Sequence, residues 1–348
     1  MSGKARVQVV LDRCSRLVDA EMRAVLHDRD DGNTVLYHIV RYHLGWADVD
    51  GSAASAGCGK RVRAAVCMLA CEAVGGEAAA AAPAAAAVEL LHSFTLLHDD
   101  IMDRDDTRRG RRAAWCLWGE RNALLAGDGL YAIANMALVR LTESWASPAN
   151  VLAAFRELNE AAVRVCEGQC ADLSYEARDD ITPEDYLLMA ARKTGALFSA
   201  AARIGARIGG GPAQMVEALG RFGDHAGVAY QIRDDVLGIW GDQEQLGKPA
   251  GSDLRRNKRS LPIIHALAYA GPLLRARLPA ARNRGPGHDV DVRELAQQVE
   301  AAGSRDFCEQ VARRYVERAV GELDGVELRE NPLCDLRALA RHLVERTE

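Results

Sequence analysis

The chain has 348 residues, a net charge of −5, 49% hydrophobic and 27% charged residues. That balance suits a globular protein with a sizeable core, and the negative charge argues against electrostatic capture of nucleic acid. An anionic substrate stays open, because acidic side chains hold phosphates through divalent cations. Aromatics are scarce at 5% and alanine and leucine abundant, which leans the composition towards helix.

In chain order, Met1 to Ala20 mixes charges with apolar residues and lacks the apolar core of a signal peptide. Helical spacing then predicts helices over 63–74, 84–102, 122–141, 151–175, 183–208, 214–240 and 261–269. Further helices are expected near 292–301, 308–323 and 335–345. Gly75-Gly76, Ser147-Pro148, Gly209 to Pro212 and Gly285-Pro286-Gly287 separate them. Thr182 reads as an N-cap with Pro183 at the first helical position. Strand signals are nearly absent and there is no internal repeat. The fold class is all-α, one domain over 1–348, with a core at about 57–267 and C-terminal helices at about 290–346.

The alanine run from Ala78 to Ala87 contains Pro83 and reads as too weakly apolar to cross a bilayer. The cysteines show no zinc-finger spacing, so buried thiols in a reducing compartment are expected. A cytoplasmic protein without stable membrane insertion follows as the expectation.

Two acidic motifs stand out. His98-Asp99-Asp100-Ile101-Met102-Asp103 ends an apolar helix, and Asp99 and Asp103, four apart, share a face. Carboxylates at a helix C-terminus oppose the macrodipole, which disfavours an ordinary solvated helix end. Hard oxygens on one face suit Mg²⁺ bridging to a diphosphate, and Arg108-Arg109-Gly110 follows with guanidinium forks that match phosphate. The second motif, Gln231 with Asp234-Asp235, is again followed by cations: Lys248, Arg255, Lys258 and Arg259. Alone, it would also fit a helix end beside a basic loop.

With both motifs in hand, the chain resembles the trans-isoprenyl diphosphate synthases of the polyprenyl synthetase family, over about 57–267. That resemblance implies a helix bundle around a central cavity and a magnesium-dependent head-to-tail prenyltransferase. Asp99 and Asp103, supported by Asp100, match its first aspartate-rich motif. Gly59-Lys60-Arg61-Val62-Arg63 is similar to its Gly-Gly-Lys-Arg element, with Cys58 in place of one glycine. Lys60, Arg63, Arg109 and His92 would then hold isopentenyl diphosphate, although His92 by itself also fits a core histidine. Gly168-Gln169-Cys170-Ala171-Asp172-Leu173 resembles the family's Gly-Gln-x-x-Asp-Leu helix, with Asp172 as a metal ligand. Lys193-Thr194 and Gln231 would steady the allylic cation and diphosphate. Asp234 and Asp235 match the second acidic pair, Arg108 falls at an allylic-diphosphate position, and Lys248 and Lys258 fall where the family has diphosphate-binding lysines.

The chain departs from the pattern in places. Gly238 replaces the third aspartate of the second motif, which leaves Asp234 as the main metal contact there with Asp242 as a helper. Arg112 and Trp115 replace a proline and a histidine, and the end, Arg346-Thr347-Glu348, lacks a basic tail. The resemblance implies about three Mg²⁺ ions held by Asp99, Asp103, Asp172 and Asp234, neutralising diphosphate as it leaves. It also implies a homodimer.

Phe94 and Thr95, one turn before Asp99, point towards the pocket floor. A ring beside a small side chain suggests an intermediate pocket and a C20 product, geranylgeranyl diphosphate, over C15 farnesyl diphosphate; Phe94 also fits a plain core position. Three other readings compete. A class I terpene cyclase would need an Asn-Asp, Ser, Glu triad that Asp224 to Asp242 does not carry. A regulatory synthase subunit would lack the first acidic motif. A helical scaffold explains none of the paired acids and cations.

Overall fold

A computed structural model describes residues 3–27, 34–54, 59–143, 147–241, 251–256, 258–269 and 292–345. The chain opens with two helices that the charge-rich N-terminal sequence hides, α1 (Gly3–His27) and α2 (Val35–His43). In α1, Val7, Val10, Leu11, Cys14, Val18, Met22 and Val25 recur every three or four residues and are buried. α3 (Val62–Ala73) and α4 (Ala82–Met102) follow, then a two-stranded hairpin, β1 (Thr107–Arg108) and β2 (Arg111–Arg112). Next come α5 (Ala114–Trp118), α6 (Glu120–Val139), α7 (Pro148–Tyr175) and α8 (Pro183–Ala190). The stretch expected as one helix over 183–208 is helical throughout but carries a π-turn, Ala191–Gly195, between α8 and α9 (Ala196–Ile208). α10 (Ala213–Trp240), α11 (Ser252–Arg256), α12 (Leu261–Tyr269), α13 (Val292–Ala301), α14 (Ser304–Glu322) and α15 (Glu330–Glu345) complete it.

Local signals set several ends. The Thr182 hydroxyl accepts from the Asp185 N–H (3.1 Å), and the Asp185 carboxylate accepts from the Thr182 N–H (3.0 Å). With Pro183 in the first turn this is a complete capping box. α4 packs against α6, α9 lies between α3 and α10, and α7 backs the π-turn. One continuous apolar core takes side chains from Val7 in α1 to Leu343 in α15.

Two expectations are corrected. The alanine run does not end at Ala87: with the rest of α4 it forms a stretch, Ala78–Met102, long and apolar enough to cross a membrane. Most of that stretch is buried inside the bundle, where Ala84 to Val88 would need neighbours on every side, and those neighbours are other helices. Nor are all thiols buried: Cys14, Cys67, Cys71 and Cys308 are, whereas Cys166 and Cys170 are exposed on α7.

Candidate active site

Acids and cations meet where α4, α7, the π-turn and α10 converge. Asp103 caps α4, its N–H bonded to the Asp99 carbonyl (2.8 Å). Burial pushes the Asp99 carboxyl above its ordinary value; Lys193 and Arg108 pull it back, while Asp103 and Asp172 add to the rise. Asp100, turned about 100° from Asp99, is buried and accepts from the Arg108 Nε (2.8 Å). It holds that guanidinium beside Asp99 and Asp103.

Lys193 and Thr194 lie within the π-turn, a backbone device common at functional sites. Gly168 makes room for it: a Cβ there would stand 2.3 Å from the Lys193 nitrogen, so only glycine lets the two backbones touch. The turn sends adjacent side chains to different helices. Lys193 Nζ donates to Asp172 on α7 (2.6 Å), and the Thr194 hydroxyl donates to Gln231 Oε1 on α10 (2.6 Å). Burial pushes the Asp172 carboxyl up, but Lys193 and Lys258 hold it below the usual carboxylate range. The Lys193 ammonium is raised against its own burial by Asp172 and Asp99.

The network continues through α10. Gln231 Nε2 donates to Asp235 Oδ1 (3.0 Å), and the Leu261 N–H donates to Asp235 Oδ2 (3.2 Å). Lys258 stands 3.6 Å from Asp235. Asp235 is 1% exposed and both its oxygens are engaged by the protein. Its place is that of a buried strut holding Gln231 and Lys258. Asp234 is half-buried on the face that carries Gln231 and Gly238. Lys258 is held well above the ordinary lysine range against its burial, by Asp235, Asp253, Asp172 and Asp103.

Beside this acidic cluster lies a cationic one. Arg109 and Gly110 form the two-residue loop of the β1–β2 hairpin, both with positive φ (53° and 73°). The Arg109 guanidinium folds over Gly59, where a Cβ would lie 2.6 Å from it. Arg63 is buried at the start of α3 and its guanidinium sits 4.8 Å over the Phe198 ring. Lys60 is exposed at the rim. His92 is kept neutral, well below the usual histidine range, by burial and then by Arg63, Arg109, Arg108 and Arg61.

Sequence reasoning missed three contributors. Arg61 is 2% exposed and left-handed (φ 49°); it pairs with Asp19 of α1 (2.9 Å) and Glu89 of α4 (3.8 Å). Glu89 also accepts from the Ala64 N–H (3.0 Å), so one carboxylate fixes the start of α3. His43 of α2 is buried against the hairpin and kept neutral by burial and then by Arg109, Arg108 and Arg61. Arg256 of α11 reaches both Asp103 and Asp105. Of these, Arg61 and Arg256 had a trace in the sequence, as members of basic runs; His43 had none.

The two neutral histidines give a pH prediction. Unfolded, each binds a proton below about pH 6.5; folded, each resists it, so stability falls as pH drops through that value. Each contributes up to about 1.4 kcal/mol per pH unit. Melting temperature should decline from pH 7 to pH 5.5, and His43→Gln should flatten the decline. A flat profile in the unaltered protein would contradict it.

Phe94 packs edge-on against His98 (4.8 Å) and tilted against Tyr131 of α6 (5.6 Å). The Thr95 hydroxyl turns back to the His92 carbonyl (2.8 Å). Trp115 donates to the Asp105 carbonyl (2.7 Å), tying the loop after the hairpin to the first motif. Lys248, Asp242, Cys58 and residues 346–348 lie outside the described residues.

Among the described residues, no three His, Cys, Asp or Glu side chains gather into a ready-made metal cage. The donor set nevertheless fits Mg²⁺, which takes one or two carboxylates and completes its shell with water and phosphate oxygens. Asp99, Asp103 and Asp172 offer hard oxygens from α4 and α7, close enough for the other two to act on the Asp99 carboxyl, and α10 carries Asp234 one turn from Gln231.

Residues 52–299 match the polyprenyl synthetase family. A (2E,6E)-farnesyl diphosphate synthase of Mycobacterium tuberculosis is 40% identical over 311 residues, covering 88% of this chain and 85% of its own. A geranylgeranyl diphosphate synthase of the same species is 40% identical over 287 residues, covering 81% and 79%. The crystal structure of a polyprenyl synthetase from Streptomyces coelicolor A3(2) superposes with a TM-score of 0.89 at 37% identity, covering 97% of this chain and 99% of that one. The geranylgeranyl pyrophosphate synthase of Corynebacterium glutamicum, solved with isoprenyl diphosphate and magnesium, gives 0.80 at 26% identity, covering 99% and 100%. The chain belongs to the polyprenyl synthetase family and is a trans-prenyltransferase.

Proposed function

We propose that the protein condenses isopentenyl diphosphate with C5, C10 and C15 allylic diphosphates in the presence of Mg²⁺, ending at geranylgeranyl diphosphate (C20). One observation carries the reading: an acidic cluster and an arginine cluster lie side by side, joined through Arg108. Each suits one diphosphate, and the reaction needs two.

The arginine cluster receives isopentenyl diphosphate. Arg63 and Arg109 supply charge, Lys60 closes from the rim, and neutral His92 donates an N–H without adding a further cation to a crowded site. The acidic cluster takes the allylic diphosphate, with Arg108, Lys193 and Lys258 set among its acids. Mg²⁺ held by Asp99, Asp103, Asp172 and Asp234 would neutralise charge on the leaving diphosphate. The allylic C–O bond breaks and the diphosphate keeps the electron pair. The double bond of isopentenyl diphosphate then attacks the allylic carbon, forming the new C–C bond. The proton lost in closing the new double bond goes to the released diphosphate. Thr194 and Gln231, locked in one hydrogen bond, direct oxygen dipoles at the cation. The surrounding helices exclude water that would quench it.

The C20 preference rests on Phe94 together with Tyr131, which set an aromatic floor between α4 and α6. Purified protein given isopentenyl diphosphate with each primer should accumulate C20 alcohol after dephosphorylation, read by mass spectrometry, and none with chelator. Accumulation at C15 would refute the length. Phe94→Ala should lengthen the main product by about one isoprene unit, because a removed ring opens space that a longer tail fills. An unchanged product would make Phe94 a core residue only. The homodimer reading draws support from Leu124 and Leu125 of α6 and Leu152 and Val163 of α7, apolar and exposed; a cytoplasmic location is proposed with it.

A further inference from the structure

The π-turn is held between two helices in the same way on both sides. On α7, Gly168 touches its backbone at Lys193, and Asp172, one turn on, takes the Lys193 ammonium (2.6 Å). On α10, Gly227 touches its backbone at Gly195, and Gln231, one turn on, takes the Thr194 hydroxyl (2.6 Å). A Cβ on Gly227 would lie 2.7 Å from the Gly195 Cα and 3.1 Å from its nitrogen. Gly195 and Gly227 are both buried, and what Gly227 meets first is main chain, which cannot swing aside as a side-chain tip does. Carbon atoms in ordinary contact stand about 3.5–4.0 Å apart, so a methyl group at 227 would push the turn off α10 by roughly an ångström. Glycine is the poorest helix former after proline, yet α10 carries it at this buried interior position.

We propose that Gly227 is a positioning residue for the reaction: its bare backbone sets the separation of α10 and the π-turn at which Thr194 and Gln231 meet and aim their oxygens at the allylic cation. The inference rests on the role given to that pair above. Thr194 adjoins Gly195, and Gln231 follows Gly227 by one turn, so a shift at the glycine contact reaches the pair with no flexible side chain between. Dipoles stabilise a developing charge when they are aimed in advance, and a displacement of about 1 Å can cost about a hundredfold in rate. Arg63 and Arg109, assigned to isopentenyl diphosphate, stand on α3 and the hairpin, outside this contact. The competing account is that Gly227 serves packing alone. Gly223, one turn earlier on α10, supplies the comparison: a Cβ there would lie 2.5 Å from the Phe198 carbonyl oxygen and 2.8 Å from its carbon. It meets α9 just as closely, one turn away from the π-turn.

The test is steady-state kinetics of the full chain with geranyl diphosphate and isopentenyl diphosphate, beside thermal melting of each variant. Gly227→Ala should lower kcat about a hundredfold and leave KM for isopentenyl diphosphate little changed. Gly223→Ala should lower the melting temperature at least as much and keep kcat. Thr194→Val, which removes the hydroxyl, should lower kcat too. Combined with Gly227→Ala it should cost no more than the larger single loss, since both break one contact. Should Gly227→Ala fail to fold, Thr194→Ser carries the test: a hydroxyl on a backbone fixed by the glycine contact should recover most of the rate that Thr194→Val loses. Full kcat in Gly227→Ala, equal kcat losses at 223 and 227, additive losses with Thr194→Val, or a Thr194→Ser as slow as Thr194→Val would overturn the proposal. Unaltered kcat in Thr194→Val would instead refute the role given to the Thr194–Gln231 pair, and this inference with it.

Discussion

Asp99→Asn and Asp103→Asn each lower kcat by about a thousandfold, the scale of losing one group aimed at developing charge, and neither lowers the melting temperature. The second half of that expectation follows from how the site is built. Burial already penalises the ionised Asp99, and Asp103 and Asp172 add to the penalty. Both acids stand at the C-terminal end of α4, where the helix dipole disfavours them. Removing one charge relieves repulsion in the ligand-free protein while removing a group the reaction needs. Asp100→Asn should behave differently. It weakens the buried partner of Arg108, so stability and activity fall together. Steady-state kinetics and thermal melting of the three variants distinguish the roles. A melting loss in Asp99→Asn equal to that in Asp100→Asn would mean that the two carboxylates do the same structural work.

Arg61→Met destabilises the protein by about 3–5 kcal/mol, the cost of removing one partner from a buried ion pair. The Arg61 side chain is 1% exposed and Glu89 4%, so Glu89 would be left charged and buried. The damage reaches the substrate site because the same contacts hold the start of α3, next to Lys60 and Arg63. KM for isopentenyl diphosphate should rise even where the variant is fully folded. Arg63→Met should raise that KM too, with a much smaller loss in stability, since the Arg63 guanidinium rests on the Phe198 ring and its removal leaves an apolar face behind. Urea denaturation with matched m-values, set beside the two KM values, checks both statements. Equal stability in Arg61→Met and the unaltered chain would refute the anchoring role.

The all-α architecture was legible because the relevant patterns are local, and the same local spacing named most residues of the candidate site. Asp99 and Asp103 share a face by spacing alone, and Thr182-Pro183 announces its own helix. What stayed hidden depends on long-range placement. Nothing near Arg61 in sequence says that Asp19 and Glu89 will bury it, so it read like its neighbours Lys60 and Arg63. His43 comes from α2, a nine-residue helix too short for its period to stand out, and joins the arginines only once the bundle closes. Asp235 looked like the twin of Asp234, yet the next residue on a helix turns about 100° away, into the core and onto Leu261 and Gln231. The π-turn left no signal, because Ala191, Arg192 and Lys193 are good helix formers and a Thr-Gly pair is no mark of a π-turn. Its requirement is written on another helix, at Gly168.

The central claim is that two adjacent anion sites couple departure of one diphosphate to carbon–carbon bond formation with the other substrate. It is tested most directly by following geranyl diphosphate and isopentenyl diphosphate together, measuring diphosphate released and isopentenyl diphosphate consumed in the same samples. The account predicts one diphosphate for each isopentenyl diphosphate joined, no release when isopentenyl diphosphate is withheld, and no reaction with Mg²⁺ chelated. Diphosphate released without consumption of isopentenyl diphosphate, accompanied by alcohol or cyclic hydrocarbon, would contradict it.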